Sequence, residues 1–530
     1  MATVEAPTRP QIRLHEGPFV NEPLTDFTKE ENARQMRAAI EKVRAQLGRE
    51  YDLIIGGKRV KTKDKIKSIN PAKPSQVVGL HQKAGKEHVE PAMQAALEAF
   101  GGWSRLSAEE RASLVFRVGD VMRERKFEFC AWLVFEVSKN WAEADADIAE
   151  TIDFCEYYAR EALRLARTEL PVQMPGERDS LLYIPLGVGA VIPPWNFPCA
   201  IMAGMTLASI VSGNTVILKP SSDSPTIAAK FVELLEECGM PEGVVNFCPG
   251  AGATFGNAVV GHPKTRYIAF TGSRDVGLDI NKSAATQAPG QIWIKRTVLE
   301  MGGKDAIIVD ADADVDSAVE GVAQAAFGFQ GQKCSACSRA IIDERIYDKF
   351  LEKLKARVEK ITVGDPAENA NMGAVINEGS MKSILDYIEV GKKDGRVITG
   401  GGPAKNAGEG YFLQPTVIAD IPPKSRLEQE EVFGPLLAVI KSKNYDHALE
   451  IANDTEFGLT GAVYTNSREK IERAIREFHV GNLYINRKCT GATVAAHPFG
   501  GFNMSGTDSK SGGPDYLYLF TQGKAVGEKI

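Results

Sequence analysis

The chain has 530 residues, which is longer than one hydrophobic core normally supports, so two or more domains are expected. Its 43% hydrophobic and 25% charged residues are typical of an ordinary globular protein. The net charge of −6 leaves no basic surface for nucleic acid, and a small molecule is therefore the expected ligand.

The cysteine content and the hydrophobic pattern indicate the compartment. Eight cysteines are too few for a disulfide scaffold in a chain of this length and indicate a reducing environment. The first thirty residues contain charges and prolines but no apolar run of signal-peptide length, and no stretch of about 18 consecutive apolar residues appears. We therefore expect a cytoplasmic protein without a membrane anchor.

Two capping-box patterns predict helices in the first part of the chain. Thr28 with Glu31 precedes an apolar stripe of helical spacing that stops at Gly48. Ser107 with Glu110 precedes a second such stripe. Both helices are interpreted as packing elements without a catalytic role.

From Gly187 onward, short apolar runs alternate with amphipathic segments, which is typical of βαβ units with a mostly parallel sheet. One of the helices is predicted to begin at Ser224-Pro225 and to end at Gly239. The first series of predicted strands is 188–192, 215–218, 244–247 and 266–270, and the second is 306–309, 340–342, 436–440, 461–465 and 482–486. The pattern predicts an α/β fold with two domains in tandem.

Three segments are interpreted from their composition. The glycine- and proline-rich segments 400–410 and 506–514 are predicted to be surface turns. The apolar, aromatic run 516–521 is predicted to be a strand that an oligomer partner covers.

Cys334, Glu300 and Asn196 are the groups needed to oxidise an aldehyde to an acid. A cysteine thiolate can add to the aldehyde carbon. The Asn196 side-chain amide and the Cys334 backbone N–H could stabilise the oxyanion, each donor contributing about 3 kcal/mol. After hydride transfer to a nicotinamide, Glu300 could activate the water that hydrolyses the thioester. Taken alone, each of these three residues also has an ordinary structural explanation. The prediction therefore rests on their occurrence together.

Six motifs, in the same order along the chain, resemble those of the aldehyde dehydrogenase superfamily: PWNFP (194–198), LKPS (218–221), FTGS (270–273), LEMGGK (299–304), GQKCSACSR (331–339) and EEVFGPL (430–436). The resemblance implies an α/β fold with two Rossmann-like open parallel-sheet domains and a small β flap for oligomerisation. The implied ranges are 1–166 and 186–299 for the NAD-binding domain, 300–495 for the catalytic domain, and 167–185 with 496–530 for the flap. A homodimer or larger homo-oligomer is also implied.

The same resemblance implies a role for each site residue. Cys334 is the predicted nucleophile, Glu300 the general base and Asn196 the oxyanion donor. No metal is expected.

The resemblance also implies the cofactor contacts. Lys219 is predicted to contact the adenine ribose, and the helix start at Ser273 the pyrophosphate. Glu431 is predicted to contact the nicotinamide ribose, with Phe433 beside the nicotinamide. The other predicted cofactor contacts are Ile192, Pro194, Trp195, Ser222 and Gly272.

Two features bear on how the cofactor is held and chosen. The glycines of the turn 250–256 are spaced G-x-G-x-x-x-G, so the turn is interpreted mainly as a strand-to-helix connection, with phosphate contact as the alternative. Ser222 stands where many NAD-preferring relatives have a glutamate that repels the 2′-phosphate of NADP. NAD is the predicted cofactor, with NADP used at lower efficiency.

Ser335 and the run 485–494 (INRKCTGATV) resemble the Δ1-pyrroline-5-carboxylate dehydrogenases, which oxidise L-glutamate γ-semialdehyde to L-glutamate in proline degradation. By that resemblance, Ser335 and the backbone of Gly491 and Ala492 hold the α-carboxylate of the substrate. Backbone amides in a glycine-containing loop can form such an anion site. Without the resemblance, a flexible surface turn would be the preferred interpretation.

Other interpretations remain open. A dehydrogenase for another semialdehyde, such as succinic semialdehyde, would use the same site, whereas CoA-acylating relatives lack a base at the position of Glu300. A redox or zinc module on Cys334-x-x-Cys337 would need a second ligand pair, and none has metal-site spacing. A non-catalytic cofactor-binding protein would not require the catalytic set. A disulfide from Cys334 to Cys337 or Cys489 is a further hypothesis, for redox inhibition.

Overall fold

Helices and strands alternate along the chain in the structure, a computed structural model that describes residues 12–167, 170, 172–405 and 407–530. The helices are α1 Glu30–Arg44, α2 Val89–Trp103, α3 Ala108–Glu124, α4 Lys126–Val137, α5 Trp141–Leu165, α6 Ala200–Val211, α7 Pro225–Glu237, α8 Asn257–Gly261, α9 Arg274–Ala285, α10 Val315–Phe327, α11 Tyr347–Val358, α12 Glu378–Asp394, α13 Arg426–Gln429, α14 Tyr445–Asn453 and α15 Arg468–Glu477. The strands are β1 Arg49–Tyr51, β2 Leu53–Ile55, β3 Lys58–Val60, β4 Lys65–Asn70, β5 Lys73–Gln82, β6 Glu177–Pro185, β7 Val188–Ile192, β8 Thr215–Leu218, β9 Val245–Phe247, β10 Tyr267–Thr271, β11 Arg296–Glu300, β12 Ala306–Val309, β13 Arg339–Asp343, β14 Arg396–Thr399, β15 Thr416–Ala419, β16 Leu436–Ser442, β17 Phe457–Gly458, β18 Thr460–Tyr464, β19 Asn482–Ile485, β20 Phe502–Asn503 and β21 Thr521–Lys529.

The first large sheet has seven strands in the order β11-β10-β7-β8-β9-β2-β3. Neighbours from β11 to β9 are parallel, and β2 joins β9 in the antiparallel direction. β7 and β8 have the predicted bounds, 188–192 and 215–218. Their apolar residues are buried on both faces, as expected for strands that helices cover on each side. The predicted parallel α/β architecture is confirmed.

The second large sheet has the order β14-β15-β16-β13-β12-β18-β19, with β14 antiparallel and the other neighbours parallel. The chain passes from the first sheet to the second between β11, which ends at Glu300, and β12, which begins at Ala306. The predicted base therefore lies at the junction of the two sheets. The domain ranges themselves stay a prediction.

A two-stranded antiparallel sheet of β6 and β21 lies within the ranges predicted for the flap. Glu177 pairs with Lys529 at one end and Pro185 with Thr521 at the other. Residues 168, 169 and 171 of the predicted flap, residues 1–11 of the predicted NAD-binding domain and residue 406 of the predicted turn lie outside the described residues.

Of the two predicted capping boxes, one is wrong and one is confirmed. α1 begins at Glu30 after Lys29, and the Thr28 hydroxyl donates to Asp26 instead of capping the helix. Because α1 begins at Glu30, the N-cap position falls on Lys29, and Thr28 lies one residue too early to accept from the backbone N–H groups of the first turn. At α3, Ser107 accepts from the backbone of Glu110, and the Glu110 carboxylate accepts from the backbone of Ser107.

The prediction of a partner-covered strand at 516–521 is wrong. Tyr516–Phe520 is a 3₁₀ helix, and the strand β21 begins only at Thr521. The helical turn buries Tyr516 and Phe520 inside the same chain, with ring centroids 5.5 Å from Tyr158 and 5.5 Å from Tyr267, respectively. A run of apolar residues fits either conformation, and packing against these two rings selects the helix.

The prediction of a surface turn at 506–514 is confirmed only for Thr507, Asp508 and Pro514, which are exposed. Ser509 is only 3% exposed, and Gly512 and Gly513 are buried. The segment turns inward because its backbone pairs with the end of β11, through a bridge between Gly506 and Glu300.

In the part of the chain that the structure describes, no helix combines the length and the apolar character needed to cross a bilayer.

Candidate active site

A cavity of about 690 Å³ opens at the carboxyl ends of β7, β8 and β10. In open parallel sheets this edge is where ligands bind. The lining includes every predicted cofactor contact and two of the three predicted catalytic residues: Ile192, Pro194, Trp195, Asn196, Lys219, Ser222, Gly272, Ser273, Cys334, Glu431 and Phe433. The structure thus brings these side chains to one cavity, while their individual roles stay predictions.

The start of α9 faces this cavity. Ser273 precedes the helix with extended backbone, φ −68° and ψ 149°, and its side chain makes no capping hydrogen bond. The first N–H groups of a helix have no partner within the helix and carry partial positive charge. They suit a phosphate group.

Glu431 presents its carboxylate to the same cavity. Its Oε1 accepts a hydrogen bond from the Gly303 N–H at 3.0 Å. Burial raises the pKa of Glu431 to about 7, and that hydrogen bond opposes the rise. A side chain at Gly302 would come within 2.3 Å of Glu431 Oε2, so glycine is required there. A carboxylate held in this way suits a ribose diol.

Phe433 and Trp195 form an edge-to-face pair, with ring centroids 5.4 Å apart and an interplanar angle of 81°. Phe433 has a φ of 58°, an uncommon conformation for a residue with a side chain. The pair places two aromatic rings, nearly perpendicular to each other, on the cavity wall, where one of them could pack against a planar ring.

Lys219 lies at the end of β8, with its Nζ donating to the Pro220 carbonyl at 3.0 Å. Burial lowers its pKa to about 8, and the nearby Asp223 partly offsets this. Ser222, by contrast, is exposed at the cavity. The helix start, the Glu431 carboxylate, the aromatic pair and Lys219 together fit a dinucleotide.

The turn 250–256 contributes to the cavity. Gly252, Ala253 and Gly256 are among its lining residues, and a Cβ at Gly256 would lie 3.5 Å from the side chain of Lys219, which follows β8. Glycine keeps the turn close to this lysine without filling the space beside it.

Cys334 follows α10 and a tight turn, Gly328–Gly331, in which Phe329 and Gln330 have left-handed backbone. The residue is half-buried at the cavity wall. Burial raises the pKa of its thiol well above the usual value, and the negative charges of Asp305 and Glu431 add to the rise. The thiol is therefore mostly protonated at neutral pH before a ligand binds.

Asn196 connects the cofactor side of the cavity to this loop. Its Nδ2 donates to the Gln332 carbonyl at 3.1 Å, and the residue is 4% exposed. A side-chain amide has two N–H hydrogens, so one remains for an oxyanion.

Glu300 does not line the cavity but lies behind Met301 and Gly302, which do. Its Oε1 accepts a hydrogen bond from the Ser509 hydroxyl. Its Oε2 is buried and has no partner in the part of the chain that the structure describes. Burial raises the pKa of Glu300 to about 8, which is a suitable value for a general base near neutral pH.

The predicted substrate anchor joins two loops. The Cys489 thiol donates to the Ser335 carbonyl at 3.4 Å, and the Arg487 guanidinium donates to the carbonyls of Thr490 and Gly491 at 2.9 Å each. Gly491 has a φ of 78° and is exposed, and Ala492 is half-buried. All eight cysteines, including Cys337 and Cys489, are free thiols.

Lys333 and Ser509 were missed by sequence reasoning. Lys333 Nζ pairs with Glu143 of α5 at 2.7 Å, which fixes the residue before the nucleophile. Its place inside the motif around Cys334 was an available signal. Ser509 gave no signal, because nothing in a glycine-rich segment indicates a contact with Glu300.

A cluster of side chains that could bind a metal ion lies away from the cavity. Among the described residues, His15, Asp120 and Glu156 offer ligand atoms within 4.8 Å of one another. Arg123 already pairs with Asp120 at 3.0 Å and with Glu156 at 3.3 Å. The Arg123 cation offsets the negative charge of these carboxylates, so the cluster is not interpreted as a metal site.

Comparison with known proteins agrees with this geometry. Residues 59–526 match the profile of the aldehyde dehydrogenase family. The chain is 57% identical over 513 residues to the 1-pyrroline-5-carboxylate dehydrogenase of Geobacillus thermodenitrificans, covering 96% of this chain and 99% of that protein. It is 56% identical over 512 residues to the protein of the same name from Bacillus pumilus, again covering 96% and 99%. The crystal structure of Thermus 1-pyrroline-5-carboxylate dehydrogenase with bound NAD is 51% identical and superposes with a TM-score of 0.95, over 98% of this chain and 100% of that chain. The chain therefore belongs to the aldehyde dehydrogenase family.

Proposed function

We propose that the protein oxidises L-glutamate γ-semialdehyde, the open form of Δ1-pyrroline-5-carboxylate, to L-glutamate with NAD, as a step of proline degradation. The observation that carries the proposal is the contact of Cys489 with the Ser335 carbonyl. This contact holds the loop of Gly491 and Ala492 against the residue that follows the nucleophile. The relatives named 1-pyrroline-5-carboxylate dehydrogenase support the same substrate.

The reaction begins when the Cys334 thiol loses its proton to solvent and the resulting thiolate attacks the aldehyde carbon. A carbon–sulfur bond forms, and Asn196 Nδ2 donates a hydrogen bond to the new oxyanion. NAD, when bound, accepts the hydride whose departure leaves a thioester on Cys334. Glu300 then takes a proton from water as the water oxygen bonds to the acyl carbon, and Cys334 leaves as a thiolate.

The substrate assignment is tested with a panel of aldehydes at matched concentrations: glutamate γ-semialdehyde, succinic semialdehyde, and simple aliphatic and aromatic aldehydes. Glutamate γ-semialdehyde should give the highest kcat/KM, measured as NADH formation, because only it carries the α-carboxylate that Ser335, Gly491 and Ala492 are proposed to bind. In the variant Ser335→Ala, kcat/KM should fall by roughly tenfold for this substrate and stay near the original value for an aliphatic aldehyde. Equal or better turnover of simple aldehydes by the unaltered enzyme would remove the proline-degradation assignment.

The cofactor is proposed to be NAD, with NADP used less efficiently. Ser222 is exposed at the cavity near Lys219, and a serine there places no negative charge near a 2′-phosphate. The variant Ser222→Glu should lower kcat/KM for NADP by roughly tenfold or more, because like charges a few ångströms apart repel. The value for NAD should change little. A matched fall with both cofactors would show that this side chain does not select between them.

The proposed assembly is a homodimer or larger homo-oligomer through the sheet of β6 and β21, in the domain arrangement given above. Leu182 on β6 is 49% exposed and Ile530 after β21 is 74% exposed, so this sheet presents apolar surface. The proposed compartment is the cytoplasm, which the free state of the cysteines supports.

A further inference from the structure

The segment 505–511 wraps around the end of β11. The Met301 N–H donates to the Ser505 carbonyl at 2.8 Å, and the Thr507 N–H donates to the Leu299 carbonyl at 3.0 Å. Between them, Gly506 forms a bridge with Glu300. Because these contacts involve the residue before Glu300 and the residue after it, they fix the position of the segment relative to the predicted base.

Within this segment, Ser509 is the side chain that contacts Glu300. The serine is 3% exposed, and its hydroxyl donates to Glu300 Oε1. Glu300 Oε2 has no partner among the residues that the structure describes. One carboxylate oxygen is therefore held by the protein, and the other is left for a ligand such as water.

The charges around Glu300 are unevenly placed. Lys510 lowers the pKa of Glu300, and Asp508 raises the pKa of Glu300. Both effects are smaller than those of burial and of the Ser509 hydrogen bond. The Lys510 ammonium is held by the carbonyls of Gly481 and Gly500, at 2.8 Å and 2.7 Å, and does not pair with the carboxylate.

Two neighbouring groups are affected by the charge of Glu300. The Glu300 charge raises the pKa of the Cys334 thiol, although burial and the charges of Asp305 and Glu431 have larger effects. It also contributes, after burial, to the raised pKa of the Tyr516 hydroxyl. The Ser509 hydroxyl is the group that directly favours the ionised carboxylate, since a hydrogen bond donated to a carboxylate stabilises its charged form.

We propose that Ser509 is a positioning residue of the hydrolytic step, which holds the Glu300 carboxylate by one oxygen and leaves the other to take a proton from water. The inference rests on the proposed function, in which Glu300 promotes hydrolysis of a thioester on Cys334. In this proposal, Ser509 affects the hydrolytic step alone and contacts neither the aldehyde nor the cofactor.

The test uses the full-length variant Ser509→Ala. Steady-state kcat should fall by roughly tenfold at pH 7.5, the size of effect expected when a carboxylate loses one hydrogen bond. The dissociation constant of NAD, measured by fluorescence titration, should stay unchanged, and KM should fall together with kcat, because the steps up to hydride transfer are not affected. The rising limb of kcat against pH should move to higher pH by about one pH unit, because the pKa of Glu300 rises when its donor is lost. Rapid mixing should show a burst of NADH equal to the enzyme concentration, since hydrolysis becomes rate-limiting.

Two further variants separate positioning from general damage. Ser509→Thr keeps a hydroxyl at the same position and should restore the original pH profile. Ser511→Ala removes a hydroxyl from the same segment whose partner is Tyr158, at 3.2 Å, and should leave the pH profile unchanged. If Ser509→Ala has the original kcat and pH profile, the inference is wrong. A shift of equal size in Ser511→Ala would also overturn it, because the effect would then belong to the segment and not to the contact.

An ester substrate separates this inference from the proposed function. With p-nitrophenyl acetate, Cys334 takes the acetyl group, p-nitrophenolate leaves, and water then releases acetate, so no cofactor or physiological aldehyde is needed. Slower acetate release by Ser509→Ala, with the pH shift, supports the inference even if glutamate γ-semialdehyde is not oxidised. Unchanged acetate release would contradict it even if that aldehyde is the best substrate.

Discussion

Replacing Cys334 with alanine is expected to reduce kcat/KM for aldehyde oxidation by roughly 10⁴-fold or more, because Cys334 is the only thiol among the described residues that line the cavity. NAD affinity should be retained, since the predicted cofactor contacts lie at the ends of β7 and β8, at the start of α9 and in the segment of Glu431 and Phe433. The measurements are NADH formation and a fluorescence titration with NAD.

The matched control is Cys337→Ala. Cys337 is 1% exposed, with its thiol donating to the Arg339 carbonyl at 3.4 Å, so its loss should leave kcat within a few-fold of the original. Substantial oxidation by Cys334→Ala, or a comparable loss in Cys337→Ala, would contradict the assignment of the nucleophile.

Replacing Glu300 with glutamine is expected to lower steady-state kcat by about 10²- to 10⁴-fold, the usual contribution of a general base. Glutamine keeps the shape of the side chain and can still accept from Ser509 but cannot take a proton. One equivalent of NADH should form before turnover stops, with an acyl group left on Cys334. Mass spectrometry of the stopped enzyme measures that adduct. Slow NADH formation without a burst would instead assign Glu300 to an earlier step.

The same residue sets an expected pH dependence. A base acts only when ionised, and burial holds the pKa of Glu300 at about 8, so the hydrolytic rate should rise between about pH 7 and pH 9. The raised pKa of Cys334 acts in the same direction, because its thiolate also becomes more abundant with pH. In Glu300→Gln, the rate of hydrolysis should no longer rise with pH. Rapid mixing measures the formation of NADH and steady-state assays measure complete turnover, so the two together separate the effect on hydrolysis from the effect on Cys334.

Local signals predicted the strands well and the contacts between distant segments poorly. β7 and β8 were predicted to the residue, because each is a short apolar run with sharp boundaries. The run 516–521 was predicted wrongly, because its conformation depends on packing against Tyr158 and Tyr267. The motifs around Cys334 and Glu431 identified side chains that do meet at one cavity. The surroundings of Glu300 were not predictable in this way, since Ser509 is 209 positions away in the chain.

That separation has a consequence for the order in which the enzyme is assembled. The strands β7 to β11 can pair with one another as soon as residue 300 has left the ribosome, while the segment 505–511 has yet to be synthesised. At typical synthesis rates, roughly 5–20 residues per second, the carboxylate of Glu300 waits on the order of ten seconds or more for its serine. A nascent chain can thus form the parallel strands of its first sheet early, whereas the cavity also needs Cys334, Glu431 and Phe433, and the contact of Glu300 with Ser509 can form only after these have been synthesised.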